Sequence, residues 1–253
     1  MQRIGLPETW GAREADPGFM ASLATFSFVA LGLELVVDGT VLTYTGSAPA
    51  LYPLGWQCLV WVGLGLAWLL VARGLVAWSR RRGLDPLPAD PDPRAAGNTP
   101  DDAALVHRAW RSVLLCFAAV VVAITLPALV GVPWGLVSAD RYRELYASYG
   151  GSAWLAVCAW VVYHVGRCVV VAGFLAYAHR AVRGVATFRG SHAVPWGGLV
   201  AGVAMGAVAL LSRGPVIALT TVVVHVLIGL IHVRSGESLR VTALFTVLVL
   251  ALL

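Results

Sequence analysis

The run Ser152–Ala178, SAWLAVCAWVVYHVGRCVVVAGFLAYA, decides the fold class, because it is apolar over almost its whole length. Arg167, near its middle, is its only charged residue. About 20 apolar residues in one α-helix fill the hydrocarbon core of a bilayer, where only a helix or a closed barrel satisfies its own backbone hydrogen bonds. The length and continuity of the run favour a membrane-spanning helix over a barrel strand.

The composition extends this interpretation to the whole chain. Of 253 residues, 59% are hydrophobic and 12% charged, with a mean hydropathy of +0.80. Soluble domains contain about 45–50% apolar and about 25% charged residues. The composition excludes a soluble domain and predicts an all-α, polytopic integral membrane bundle in the lipid bilayer. The net charge of +5 comes from arginines clustered at the ends of apolar runs, which indicates membrane orientation and not nucleic-acid binding.

Seven apolar runs are predicted to be transmembrane helices. They are Gly18–Val37, Leu51–Trp78, Ala109–Val132, Ser152–Ala178, Pro195–Leu211, Pro215–Val233 and Val241–Leu253. The last run has only 13 residues, which is short for a full crossing. Residues 1–17 are expected to form a polar N-terminal segment that is not cleaved as a signal peptide. Helices one and two occupy residues 18–78, an exposed Pro- and Asp-rich linker follows at 79–108, and helices three to seven occupy 109–253.

The arginines also predict the orientation. With the N-terminus inside the cell, 13 of the 18 arginines are cytoplasmic, Arg141, Arg143 and Arg213 lie on the other side, and the remaining two lie within the runs. Cytoplasmic loops of membrane proteins carry an excess of Arg and Lys. We therefore expect a multi-pass protein of the cell membrane with a cytoplasmic N-terminus.

Arg167 is the residue that most strongly suggests a site, because a charge near the centre of a membrane helix needs a partner. His164 and Cys168 share its helix face, since residues three and four apart lie one above the other. The predicted topology places His225 at a depth similar to that of His164. Glu34 and Asp38 are taken as the only acids in or beside an apolar run, and Glu34 is the candidate counter-charge.

This candidate site of His164, Arg167, Cys168, His225 and Glu34 has two interpretations. It binds a substrate, ion or proton, or it is a hydrogen-bond network that holds helices together. No carboxylate has recognisable metal-ligand spacing to His164, Cys168 and His225, so neither a metal nor a cofactor is predicted.

Three glycines recur every four residues in the fifth run, at Gly198, Gly202 and Gly206. Small residues at this spacing allow close helix packing in membranes. The face is expected to pack within the chain, with a homodimer interface as the alternative.

The stretch Ile228–Leu239, IGLIHVRSGESL, resembles the G-L-x-x-x-R-T-G-S-L helix and loop of the CAAX-processing and bacteriocin-processing intramembrane proteases, the ABI or CPBP family. Glu237 is an additional residue in that loop. Val171–Tyr177 resembles the family helix that carries E-E-x-x-x-R, and Met205–Ala209 resembles its F-x-x-x-H helix. The resemblance covers about residues 152–253.

The catalytic residues of that family are missing at the matching positions. Ala172 and Gly173 replace the glutamate pair, and Tyr177 replaces the arginine. Ala209 replaces the first histidine, and Phe245 or Thr246 the second. The resemblance therefore implies a pseudoprotease with no catalytic residues, which binds a transmembrane or membrane-associated protein partner without cleaving it.

A different class of function stays open from the residues themselves. A small transporter or permease component would use His164, Arg167 and His225 along a hydrated path, with Glu34 neutralising the arginine. A third alternative is an accessory subunit held through the glycine face. The sequence carries no H-E-x-x-H, G-x-S-x-G or P-loop motif that would add a further enzymatic interpretation.

Overall fold

A computed structural model describes residues 16–46, 52–87, 100–129, 137–186 and 191–252. Within these ranges the chain forms nine α-helices and no strand, which confirms the all-α prediction. The helices are α1 (Pro17–Leu31), α2 (Leu33–Thr45), α3 (Leu54–Arg81), α4 (Pro100–Leu129), α5 (Val137–Tyr149), α6 (Ala153–Val185), α7 (Trp196–Arg213), α8 (Pro215–Arg234) and α9 (Leu239–Leu252). Short 3-10 turns lie at Gly150–Ser152 and Ser191–Ala193.

Five helical segments are long and apolar enough to cross a membrane. They are Pro17–Tyr44, Leu54–Arg81, Ala139–Val185, Trp196–Arg213 and Pro215–Arg234. Two shorter apolar helical segments, Trp110–Thr125 and Leu239–Ala251, lie in the third and seventh predicted runs. The protein is therefore an α-helical membrane protein whose apolar helices follow the predicted runs.

The first membrane segment is broken at Gly32 into α1 and α2. The indole Nε1 of Trp68, a buried side chain of α3, donates a hydrogen bond of 2.7 Å to the carbonyl oxygen of Ala30, just before the break. Glu34 lies in the first turn of α2. Gly32 therefore separates α1 from the short helix that carries Glu34 and Asp38.

Helix α5 was not predicted, because the sequence search followed apolar runs and this helix is polar. Two ion pairs with the i,i+3 spacing of a helix lie along it. Arg141 pairs with Glu144 at 3.0 Å and Arg143 pairs with Asp140 at 3.0 Å. Charged pairs at this spacing stabilise the polar face of a helix, and the buried Leu145 packs the other face against α6.

The linker after α3 differs from its prediction in the part that the structure describes. Leu84 is buried, its carbonyl oxygen accepts a hydrogen bond from Ser79 Oγ, and Asp85 pairs with Arg80 at 2.9 Å. Leu84 and Pro86 are therefore packed onto the bundle, whereas residues 80–83 are exposed, as predicted. The remaining residues 88–99 lie outside the described part of the chain, and α4 begins at Pro100, ahead of the predicted Ala109.

Helix α6 lies at the centre of the bundle and contacts α1, α3, α5, α7 and α9. It crosses α3 at two glycines, Gly65 and Gly166. A Cβ on Gly65 would lie 2.6 Å from the carbonyl oxygen of Val162, so only glycine permits this approach. Close backbone contact through small residues is typical of membrane helix pairs, where no hydrophobic effect drives association.

The predicted glycine face of α7 packs against α8 of the same chain. A Cβ on Gly198 would lie 2.6 Å from the carbonyl oxygen of His225, and one on Gly206 would lie 2.6 Å from Cγ2 of Val222. Gly202 faces Val222 as well. The structure thus gives these three residues a packing role within the chain.

Candidate functional site

The predicted site around Arg167 is built from α2, α6 and α8. The hydroxyl of Tyr163 donates a hydrogen bond of 2.5 Å to Glu34 Oε1. Arg167, one helical turn further along α6, interacts electrostatically with both Tyr163 and Glu34. The structure therefore brings Glu34 to Arg167, and it adds Tyr163, which the sequence did not single out, as the residue between them.

His164 and Cys168 lie on the side of α6 that faces α9. His164 Nε2 is 3.2 Å from the carbonyl oxygen of Val247 and 3.5 Å from Cys168 Sγ. The ring of Trp160 stacks on the imidazole with 5.0 Å between centroids. Cys168 is fully buried. These contacts hold both polar side chains in packed positions between helices.

His225 approaches Arg167 from α8. Its Nδ1 lies 2.8 Å from the carbonyl oxygen of Thr221, and it interacts electrostatically with Arg167. Its Nε2 is buried and has no hydrogen-bond partner among the described residues. The other four predicted site residues therefore each interact electrostatically with Arg167.

A cavity of about 720 Å³ reaches this site from the end of the bundle that carries α5. Glu34, Asp38 and Glu144 contribute carboxylates to its wall, and Arg141 contributes a guanidinium. Its other lining residues include the aromatic side chains of Tyr52, Trp61, Tyr149, Trp160 and Tyr163. We call it the carboxylate-lined cavity.

A second cavity, of about 530 Å³, lies near the opposite end, between α3, α6 and α9. Most of its lining is apolar, and Arg73, Arg80 and Arg240 supply its charges. Gly173 and Tyr177, two of the positions that match catalytic residues of the resembled proteases, are in its wall. No carboxylate is among its described lining residues. We call it the arginine-lined cavity.

Among the described residues, the most heavily buried ion pairs are centred on Glu237, which was noted from the sequence only as an additional loop residue. Arg180 Nε lies 2.7 Å from Glu237 Oε2, Arg183 pairs with Oε1, and His179 Nε2 lies 3.6 Å from Oε1. Glu237 is 5% exposed. The interpretation that Glu34 and Asp38 are the only acids beside an apolar run is therefore wrong.

The electrostatics of Glu237 follow from these neighbours. Burial by itself would raise the pKa of the carboxyl, but the neighbouring side chains of His179 and Arg180 hold that pKa well below its usual range. Glu237 also has a φ of 61°, in the left-handed region that non-glycine residues rarely adopt. The ion pairs therefore hold a strained residue in place.

One sequence signal could have identified this cluster. Glu237 is the only acidic residue after Glu144, and it lies beside Arg234 in a loop at the arginine-rich end of the helices. His232 is fully buried near the cluster, with Nδ1 2.7 Å from Thr242 Oγ1 and its ring edge-on to that of His179.

Within the described ranges, no group of three or more His, Cys, Asp or Glu side chains is arranged to hold a metal ion. Ala172 and Phe245, which match catalytic positions of the resembled proteases, are buried apolar residues. The fold defines a polytopic α-helical membrane protein, and the two cavities described above lie near opposite ends of its bundle. Comparison with family models, curated proteins and solved structures finds no match for this chain.

Proposed function

We propose that this protein is a non-catalytic membrane protein that binds an anionic amphiphile in the arginine-lined cavity. The observation that carries the proposal is an apolar cavity within membrane-spanning helices whose charged lining residues are all arginines. Ligand sites typically combine apolar walls with a few polar groups that orient the ligand. A hydrocarbon chain that ends in a carboxylate or phosphate matches both features.

The three arginines of this cavity differ in their surroundings. Asp85 pairs with Arg80, and Arg240 also interacts with Asp85, so one carboxylate faces two guanidinium groups. Arg73 is exposed within α3, and no ion pair joins it to any residue that the structure describes. An intramembrane arginine on an apolar wall is costly unless it meets an anion or reaches the interface. Arg73 is therefore the residue that we expect to bind the anionic group.

The apolar part of the wall suits the rest of such a ligand. Leu69 and Val76 of α3 face Val170 of α6 across the cavity, and Leu239 and Ala243 of α9 complete this wall. An acyl or isoprenyl chain would bury its surface against these side chains. The expected membrane protein partner would carry such a chain, and this chain would enter the cavity.

The same wall supports binding over catalysis. Where the resembled proteases carry a catalytic glutamate and arginine, this chain presents Gly173 and Tyr177 to the cavity. Hydrolysis in that family needs a carboxylate that activates water. Without a carboxylate among the described lining residues, we propose that the ligand is held and not cleaved.

Binding of a fluorescent stearate to the purified full chain in neutral detergent tests the proposal. The acid should bind, its methyl ester should bind much more weakly, and Arg73→Gln should weaken binding of the acid about tenfold or more. The matched control is Arg213→Gln, because Arg213 is exposed at the C-terminal end of α7 and does not line the cavity. This variant should bind stearate as the unchanged protein does. Equal binding of acid and ester, or equal affinity of the two variants, would rule the proposal out.

A second candidate function is transport, and the carboxylate-lined cavity favours it. This cavity reaches Glu34 and Tyr163 and so ends at the Arg167 site. A path of this kind would be completed by His164 and His225 on the far side of Arg167. Proton flux in proteoliposomes that disappears in Arg167→Leu, while the variant stays folded, would support transport, and flux unchanged by the substitution would refute it.

A further inference from the structure

The carboxylate-lined cavity combines features that select a particular ligand chemistry. Glu34 and Asp38 are four residues apart on α2, so their carboxylates lie on one helix face and both line the cavity. Like charges at this spacing repel each other. Arg167 interacts with Glu34, whereas no cation pairs with Asp38 in the part of the chain that the structure describes. A bound cation would relieve this repulsion.

The aromatic walls indicate what kind of cation fits. Trp61, Trp160 and Tyr163 line the cavity beside the two carboxylates. The face of an aromatic ring attracts a cation within about 6 Å, and most strongly when the site is shielded from water. A small inorganic ion would leave most of a cavity of about 720 Å³ unfilled. An organic cation would contact both the carboxylates and the rings.

An independent observation points to a ligand in the same place. Tyr52 lines the cavity and is only 4% exposed, yet its hydroxyl has no hydrogen-bond partner among the described residues. Its backbone carbonyl oxygen accepts a hydrogen bond of 2.7 Å from the hydroxyl of Tyr149, which holds the residue in position. Buried hydroxyl groups are nearly always hydrogen-bonded. An ammonium group could donate the missing hydrogen bond.

We propose that the carboxylate-lined cavity binds an organic ammonium ion, with Asp38 as the principal counter-charge and Trp160 as a wall of the site. This site and the arginine-lined cavity lie near opposite ends of the bundle, so the ammonium proposal does not depend on the amphiphile proposal. It also does not require transport, since binding alone accounts for the geometry.

Isothermal titration of the purified full chain with phenethylammonium chloride tests this inference, with protein-free micelles as the blank. The cation should bind, and the neutral analogue 2-phenylethanol should not. Asp38→Asn should weaken binding about tenfold or more. Asp140→Asn is the matched control, because Asp140 is paired with Arg143 on α5 and does not line the cavity.

A second variant tests the aromatic wall. Trp160→Leu should weaken binding severalfold, whereas Trp160→Phe, which keeps an aromatic ring, should retain most of the affinity. Binding of 2-phenylethanol as tight as that of the ammonium ion would overturn the proposal. So would equal affinity of the Asp38→Asn and Asp140→Asn proteins, or displacement of the probe by an equal concentration of sodium chloride, which would indicate a site for an inorganic cation.

Discussion

Arg180 on α6 and Glu237 in the loop between α8 and α9 form a buried ion pair with 2.7 Å between Nε and Oε2. The pair joins the central helix to the loop that connects the last two helices. Because Arg183 approaches the same carboxylate, one acidic side chain compensates two guanidinium groups from a single helix. The loop is held to α6 by these interactions in addition to apolar packing.

Replacing this carboxylate should destabilise the protein strongly. Glu237→Gln leaves the buried guanidinium of Arg180 without its counter-charge, and breaking one partner of a buried pair costs about 3–5 kcal/mol. Thermal unfolding in detergent should show a clearly lower midpoint. Asp140→Asn, which removes one partner of an exposed pair, should cost no more than about 1 kcal/mol. Equal midpoints for the two variants would contradict this role for Glu237.

The same carboxylate predicts a loss of stability in acid. Its pKa is lower in the folded protein than the ordinary value of 4.5, so the unfolded chain takes up a proton first as the pH falls. The stabilisation is complete above about pH 4.5 and is lost as the pH drops from there towards the depressed folded value. Unfolding midpoints of the unchanged protein and Glu237→Gln should therefore converge in acid. A difference between them that stays constant from about pH 7 to about pH 3 would contradict the assignment.

The close contact between α7 and α8 should not tolerate a side chain at Gly198. A Cβ there would lie 2.6 Å from the carbonyl oxygen of His225, and backbone cannot move aside easily. Gly198→Ala should cost about 1–3 kcal/mol in thermal or denaturant unfolding. The control is Gly63→Ala on α3, where a Cβ meets nothing within 4 Å. Because alanine favours helix, the control should be neutral or slightly stabilising, and the prediction fails if both variants behave alike.

Cys168 should resist water-soluble thiol reagents. It is 0% exposed and lies 3.5 Å from His164, whereas labelling by a maleimide requires an accessible thiolate. A variant with Cys58, Cys116 and Cys158 replaced by alanine should react only after denaturation. Ser148→Cys in a cysteine-free chain is the positive control, because Ser148 is exposed on α5 and lines the carboxylate-lined cavity. Fast labelling of Cys168 in intact membranes would show a hydrated path to the Arg167 site.

The apolar runs predicted the helices well because membrane insertion depends on local sequence. Each spanning helix satisfies its own backbone hydrogen bonds, so length and hydropathy are sufficient signals. The same reasoning passed over α5, which is polar and stabilised by the pairs Arg141–Glu144 and Arg143–Asp140. It also did not indicate the break at Gly32, where Trp68 of another helix contacts Ala30.

Part of the candidate site could be predicted from the sequence. The one-turn spacing of His164, Arg167 and Cys168 placed them together, and the cost of a buried charge singled out Arg167. The role of Tyr163 and the cluster around Glu237 could not be predicted from the sequence, because both depend on which loop and which helix face contact α6. The cavities are likewise spaces between helices, which no single run encodes.

By itself the sequence determined that this is an α-helical membrane protein, roughly where its apolar segments lie and which face of α6 is polar, since these depend on hydropathy and on the helical period. The tertiary structure alone decided that Glu34 reaches Arg167 through Tyr163, that Glu237 neutralises Arg180, and that arginines line one cavity and carboxylates the other. The physical reason is that hydropathy acts segment by segment, whereas charge pairing and cavity shape arise only where residues distant along the chain come into contact.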